Sequence, residues 1–305
     1  MSYTPPWAWI TEWLSHKEAH LHGVYKVYFF GRTKYQDVAV VETGSFGKAL
    51  FLDGFVQSTE FDEFVYHEAL VHPAMITHPN PEKVAIIGGG EGATLRESLK
   101  HQGVKEVTMV DIDRELIDIC KRYLPEWNKG AFNDPRTKLV FSDGRRFLKE
   151  NREKYDVIIL DLTDPIKGGP SQYLYTKEFY TIVKERLDDE GVMVTQATNP
   201  RYYLEIYATI HNTVKSVFKL ARPYRTFIPS FLTDWGFVIG SKGRDPLEVS
   251  KEEIERRTGD MESRFYDHEA HFNMFWIPKY MKAIMSRIKR VSTDSSPVGL
   301  EKWGL

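Results

Sequence analysis

The chain has 305 residues and a single cysteine, Cys120, so no internal disulfide framework can form. It has no excess of either charge. Its 41 Lys and Arg residues stand against 43 Asp and Glu, for a net charge of −2, which excludes the polybasic footprint of a nucleic-acid binder. Apolar runs long enough to span a bilayer are missing, and the N-terminal stretch MSYTPPWAWITEW lacks the basic-then-apolar order of a signal peptide. Internal repeats and low-complexity segments are also absent. A soluble, cytoplasmic protein without a membrane partner is expected. At 42% hydrophobic residues it can bury one large core and a smaller one.

What is present is organised around Lys83 to Asp113. The apolar run KVAII leads into the turn GGGEG, a helical segment ATLRESLKHQG and a second apolar run EVTMV that ends at Asp111-Ile112-Asp113. A short β-branched run suits a buried parallel strand. Gly88, Gly89, Gly90 and Gly92 then allow a sharp turn and close approach of a ligand to backbone amides. In nucleoside-binding folds an acid about 20 residues further on takes ribose hydroxyls, and Asp111 is placed to do so. The turn lacks the G-x-G-x-x-G spacing, and Glu91 sets a carboxylate where a pyrophosphate would be repelled. A cationic nucleoside without phosphate, such as an S-adenosyl sulfonium compound, fits better.

Before this unit, Trp7, Trp9 and Trp13 precede His16, His20 and His22. His16 and His20 have helical i,i+4 spacing, but Lys17 stands where H-E-x-x-H needs glutamate, so chance spacing is the better reading and no metal site is expected. The runs VYKVYFF, QDVAVVE, KALFLDG and FVQST, punctuated by Gly31, Gly44, Gly47 and Asp53-Gly54, predict a small antiparallel sheet that leans on the main domain or another subunit. A helix from Asp62 is expected to end at Pro73 and Pro79. Beyond Asp113, strands alternate with helices through TKLVF, RRFLKE, YDVIIL, TKEFYTIVKERL and GVMVTQ, which predicts a doubly wound parallel α/β sheet. An antiparallel extension follows near Ala221–Ile228 and Gly236–Ile239, and SKEE at 250–253 signals a helix start. The tail from Val291 reads as a loose end or a strap on a neighbour.

Ligands of such sheets lie beyond the carboxyl ends of the strands, which here carry Glu91, Asp111, Asp143, Asp161 and Gln196. Turn and cap preferences account for Asp143 or Asp113 singly, but poorly for Asp161 and Asp164 flanking a proline after an apolar strand. Carboxylates of this kind suit alkyl transfer from a sulfonium to an amine. The amine arrives as a cation and must lose a proton before its lone pair attacks. Asp161, Asp164 and Tyr66 are the candidates, with Glu91 favouring a donor that lacks the methionine carboxylate.

The motifs YQDVAVVETGSFGKALFLDGFVQSTEFDEFVYHEALVHP (35–73), GGGEGATLRE (88–97), VDID (110–113), SDGRRFL (142–148) and DVIILDLTDPIKGGP (156–170) resemble the polyamine aminopropyltransferases, spermidine synthase and its relatives, over nearly the whole chain. The resemblance implies an N-terminal β domain with its linker helix (1–78) and a Rossmann-like, class I methyltransferase-like domain (79–305), assembled as a homodimer or homotetramer. It implies no cofactor; decarboxylated S-adenosylmethionine is a co-substrate that donates aminopropyl to a polyamine.

By the same resemblance, Asp161 is the base, with Tyr66 helping to bind and deprotonate the amine. Gln36, His67, Gly88, Gly90, Glu91, Asp111, Ile112, Asp143, Gly144 and Pro170 fall on the donor side; Gln57, Asp164, Gln196, Asp234 and Trp235 fall on the acceptor side. Two departures matter. Glu91 stands where spermidine synthases usually carry Asp, and Thr195-Gln196-Ala197-Thr198 lacks their glutamate. With IPSFLTDWGF (228–237), these features are more similar to thermospermine synthases and to thermophilic triamine or agmatine aminopropyltransferases, so spermidine is the expected acceptor and a shorter amine the alternative. A methyltransferase and a non-catalytic polyamine sensor are the rival readings.

Overall fold

A computed structural model of the chain describes residues 5–301. The N-terminal sheet is a meander of β1 (Ala8–Trp13), β2 (Ala19–Arg32), β3 (Asp37–Thr43), β4 (Gly47–Leu52) and β5 (Phe55–Thr59), paired in chain order. The β4–β5 connection is the two-residue hairpin expected from Asp53-Gly54, both with positive φ (49° and 83°). Strand β1 was not legible as a strand: Trp9 and Trp13 point outward while Glu12 is buried, which inverts the usual alternation. His16 and His20 therefore share no helix and belong to the β1–β2 hairpin.

One face of this sheet leans on the main body, where Val38, Val40, Leu50 and Leu52 pack with Leu116, Cys120, Leu124 and Trp127. The other face packs into the main core through Val24, Ala39, Val41, Ala49 and Phe51, while Trp7 before β1, Trp9 in β1 and Leu21 and Phe30 in β2 stay exposed, Phe30 at 81%. Single apolar residues at a surface need no explanation, but several large ones on two neighbouring strands mark a contact surface.

The second sheet has the order β11-β12-β10-β9-β6-β7-β8, built from β6 (Lys83–Gly88), β7 (Glu106–Asp111), β8 (Thr137–Phe141), β9 (Tyr155–Asp161), β10 (Leu187–Gln196), β11 (Leu220–Ile228) and β12 (Thr233–Ser241). The five strands β8 to β10 are parallel, and β12 and β11 extend them antiparallel, as the sequence predicts. Helices cover both faces, so Val84 to Ile87 are almost fully buried on either side. Each such Val or Ile side chain contributes about 1.5–3 kcal/mol relative to exposure, which explains a strand without polar alternation. Strand order reverses between β6 and β9, so their carboxyl ends form the switch-point crevice. Among the described residues no helix is long and apolar enough to cross a membrane.

The helix Glu63–Thr77 does not stop at Pro73 but runs through it. A proline at this position cannot donate to the carbonyl of Ala69, four residues back. That carbonyl instead accepts the Tyr224 hydroxyl at 2.9 Å, so the backbone group is satisfied and the helix continues. Tyr224→Phe should leave a buried carbonyl unpaired and destabilise the protein by about 1–3 kcal/mol in denaturant unfolding.

Candidate active site

The crevice at the switch point opens into a cavity of about 380 Å³. Gly88 pairs with Asp161 across β6 and β9. With φ at +87°, Gly88 brings its backbone so near that a Cβ would lie 2.0 Å from the Asp161 carbonyl oxygen, so glycine is required. Gly144 is similarly constrained, because its Cβ would meet Ile87 Cγ2 at 2.2 Å.

At the centre, the Tyr66 hydroxyl donates to Asp161 Oδ1 (2.9 Å) and the Thr94 hydroxyl to Oδ2 (2.6 Å). Burial raises the Asp161 carboxyl above its ordinary range, against the pull of the nearby His67 cation and the Thr94 bond, with Glu91 pushing it further up. To one side, burial brings Asp111 up to about 7, while its Oδ1 accepts the Asp113 amide at 2.7 Å. Asp143 caps the helix Gly144–Glu150 through the Arg146 amide (2.7 Å), so the cap reading and its place on the cavity wall both hold. To the other side, Asp164 accepts Gln196 Nε2 (3.2 Å) and the Thr198 hydroxyl (3.1 Å). Burial lifts it to about 6, and the Glu12 carboxylate pushes in the same direction.

The predicted residues Gln36, Gln57, Tyr66, Gly88, Gly90, Glu91, Asp111, Ile112, Asp143, Gly144, Asp161, Asp164, Pro170, Gln196 and Trp235 all border this one cavity. Several of them are tied to neighbours. Gln36 donates to Asp113 Oδ2 (3.0 Å), and Gln57 donates to the Phe55 carbonyl (3.1 Å). Gln196, 1% exposed, spends its amide on Leu162, Asp164, Tyr175 and Thr198.

Two predicted residues are elsewhere. Asp234 points to the opposite face of β12 from Thr233 and Trp235, as strand alternation demands, and pairs with Arg225 at 2.5 Å. His67 lies behind the wall, its Nε2 2.7 Å from Glu91 and its Nδ1 2.9 Å from Glu63, which in turn pairs with Arg96 at 2.9 Å. Burial alone would lower His67, but the bonds to Glu63 and Glu91 outweigh it and hold the imidazolium up to about 10. Glu91 is thus neutralised from behind and also takes the Ser58 hydroxyl at 2.8 Å.

Sequence reasoning missed Glu12, which is buried on the cavity wall, and offered for the tail a loose end or a strap on a neighbour. Leu300 bridges Ile166, its amide donating to the Pro165 carbonyl (2.7 Å) and its carbonyl accepting the Lys167 amide (2.9 Å), while Lys167 pairs with Glu301. The tail therefore straps this chain's own loop; residues 302–305 lie outside the described set. Among the described residues, the wall carries Glu12, Asp53, Glu91, Asp111, Asp113, Asp143, Asp161, Asp164 and Glu301 against the single cation Lys167. Among the described residues, no Lys or Arg pairs with Asp111, Asp143, Asp161 or Asp164. Unit charges about 4 Å apart attract by about 4 kcal/mol at an effective dielectric of 20, so such a wall favours cationic ligands over anionic ones.

Residues 63–253 match the spermine/spermidine synthase domain, and residues 8–60 match the spermidine synthase tetramerisation domain. The chain is 51% identical to a polyamine aminopropyltransferase of Sulfurisphaera tokodaii, covering 96% of this chain and 98% of that one. Its identity to the polyamine aminopropyltransferase of Saccharolobus solfataricus is 49%, over the same shares. Among solved structures, a spermidine synthase in complex with the transition-state analogue AdoDATO superposes with a TM-score of 0.88 at 31% identity, covering 94% of this chain and 98% of that one. Spermidine synthase from Thermotoga maritima gives 0.87 at 31%, covering 94% and 97%. The exposed Trp9, Leu21 and Phe30 of β1 and β2 fall within the tetramerisation match, in keeping with an oligomer. The chain belongs to the spermidine synthase family and is a polyamine aminopropyltransferase.

Proposed function

We propose that this enzyme transfers the aminopropyl group of decarboxylated S-adenosylmethionine to spermidine, giving thermospermine or another tetraamine and methylthioadenosine, in the cytoplasm. The observation that carries this reading is the hydrogen-bonded pair Tyr66–Asp161 at the centre of a wall that carries, among the described residues, nine carboxylates and one lysine. On the donor side Asp111 has an oxygen left for ribose hydroxyls, Asp143 and Gly144 border the adenine edge, and Ile112 and Pro170 flank the base. Gln36 lies by the ribose, and Glu91, held by His67 and Ser58, accepts from the amine of the propyl arm. A donor carboxylate offers no hydrogen there.

The acceptor's attacking nitrogen gives its proton to Asp161, whose raised pKa brings it nearer the working pH. Tyr66 already donates to Asp161, so its oxygen is free to accept from the same nitrogen. The nitrogen lone pair then forms the N–C bond as the C–S pair departs with sulfur, and the remaining catalysis is alignment. Asp164, fixed by Gln196 and Thr198, and beyond it Glu12 take the other ammonium groups. Gln57 borders the same channel. The Trp235 indole N–H is only a donor, so it accepts no hydrogen bond from an ammonium; its ring packs along methylenes. Two carboxylates beyond Asp161, with neutral Gln196 between the strands, suit an amine longer than a diamine.

Product chromatography across putrescine, agmatine, norspermidine and spermidine tests the acceptor. Spermidine should give the highest kcat/KM; a higher value for putrescine or agmatine removes the spermidine assignment. Because protonated Asp164 no longer attracts an ammonium, the spermidine KM should rise as pH falls through about 6 and stay flat above it. Calorimetry should show tighter binding of the decarboxylated donor than of S-adenosylmethionine. The reverse would favour a methyltransferase chemistry at this site.

A further inference from the structure

The β1–β2 hairpin sets Glu12 directly opposite His20, with His22 two residues along the same face of β2. Glu12 Oε2 lies 2.8 Å from His22 Nε2 and 4.0 Å from His20 Nδ1, and the three side chains are 7%, 2% and 16% exposed. The three ligand atoms lie within 4.8 Å of one another. His20 Nδ1 is buried with no hydrogen-bond partner. The second Glu12 oxygen accepts the Val56 amide at 3.1 Å, and the His22 ring meets Phe51 edge-on at 5.0 Å, so two of the three groups are fixed from behind.

We propose that Glu12, His20 and His22 form a three-ligand site for a divalent transition metal of the zinc class at the acceptor end of the cavity, and that metal and polyamine exclude one another there. Two imidazoles and a carboxylate are a ligand set that zinc accepts, with bonds of about 2.0–2.2 Å. Tetrahedral bonds of that length place ligand atoms about 3.3 Å apart, and the observed 2.8 and 4.0 Å bracket this value. Small side-chain rotations suffice. Three protein ligands leave a fourth position, and Glu12, which lines the cavity, ties the site to its wall. The exclusion follows from charge and stoichiometry: one carboxylate cannot hold both a dication and an ammonium, and the dication repels the polyamine.

A second grouping, His78, Asp156 and Asp188, is less suited, since Asp156 Oδ2 already accepts the Glu82 and Lys83 amides at 2.6 and 2.7 Å. It sets the control.

Cobalt(II) titration of the full-length enzyme, read by visible absorption, tests the site without reference to activity. Wild type should develop the intense bands of a four-coordinate ion, and both His20→Ala and His22→Gln should weaken binding at least tenfold. Asp188→Asn should not. Equal thermal melts of wild type and variants show that the fold is kept, and anomalous scattering from zinc-soaked crystals locates the ion even where a variant melts early. Unchanged binding in both histidine variants, or an anomalous peak elsewhere, overturns the site. The exclusion alone rests on the acceptor reading above. Zinc should raise the spermidine KM without lowering kcat, reversibly by chelator, and His20→Ala should need at least tenfold more zinc. Inhibition that spermidine does not relieve overturns the exclusion while leaving the cobalt result standing.

Discussion

Asp161→Asn is expected to lower kcat by about 10²- to 10⁴-fold, the span of a lost general base, while calorimetric affinity for the nucleoside donor stays close to wild type. The amide keeps the size of the carboxylate but meets two donors, Tyr66 and Thr94, with only one acceptor oxygen, and it takes no proton. Tyr66→Phe removes an orienting hydroxyl and leaves the base, so its loss should be smaller. The order of the two effects, read from kcat at saturating spermidine, separates a base from a residue that positions the nitrogen. Turnover of Asp161→Asn near wild type would show that the proton leaves by another route.

The second large effect concerns the ionic chain behind the wall, Arg96 to Glu63 to His67 to Glu91. Its formal charges alternate and cancel, with side-chain exposures of 7%, 11%, 1% and 10%. Arg96 also binds Glu97 and the Trp127 carbonyl. Arg96→Met should destabilise the protein by about 3–5 kcal/mol, because Glu63 is left as a buried charge with one partner fewer. Thermal and denaturant unfolding measure this, and a loss below about 1 kcal/mol would mean that water or rearrangement neutralises Glu63.

The same chain has a pH signature. His67 is raised from 6.5 to about 10, so its stabilising contribution is whole below 6.5 and disappears as pH rises through about 10. Wild-type stability should therefore fall between these limits more steeply than that of His67→Gln.

How far the sequence carried depended on whether a feature is local. The strand-end acids, the Asp53-Gly54 hairpin and the β/α alternation are set by neighbours in the chain, so Asp111, Asp143 and Asp161 could be placed on one rim before any coordinates. Pro73 misled because the group that rescues its helix, Tyr224, is far away in sequence. Glu12 was hidden because it is an acid pointing inward between outward tryptophans, which reverses the pattern that identifies strands. Asp234 and Trp235 are adjacent, and only the side of β12 that faces the cavity, fixed by pairing with β10 and β11, separates them. His67 stands one turn from Glu63 on a helix buried nearly all round, so periodicity could not tell a ligand contact from a support.

The carboxyl-terminal strap bears on how the enzyme is handled. Because Leu300 is zipped to the segment Pro165–Lys167 and borders the cavity, a carboxyl-terminal purification tag loads a segment that is itself part of the cavity wall. Recombinant material for rate measurements is therefore better fused at the other terminus, and a slow turnover seen only with a tail-fused enzyme would report a disturbed wall and not weak chemistry.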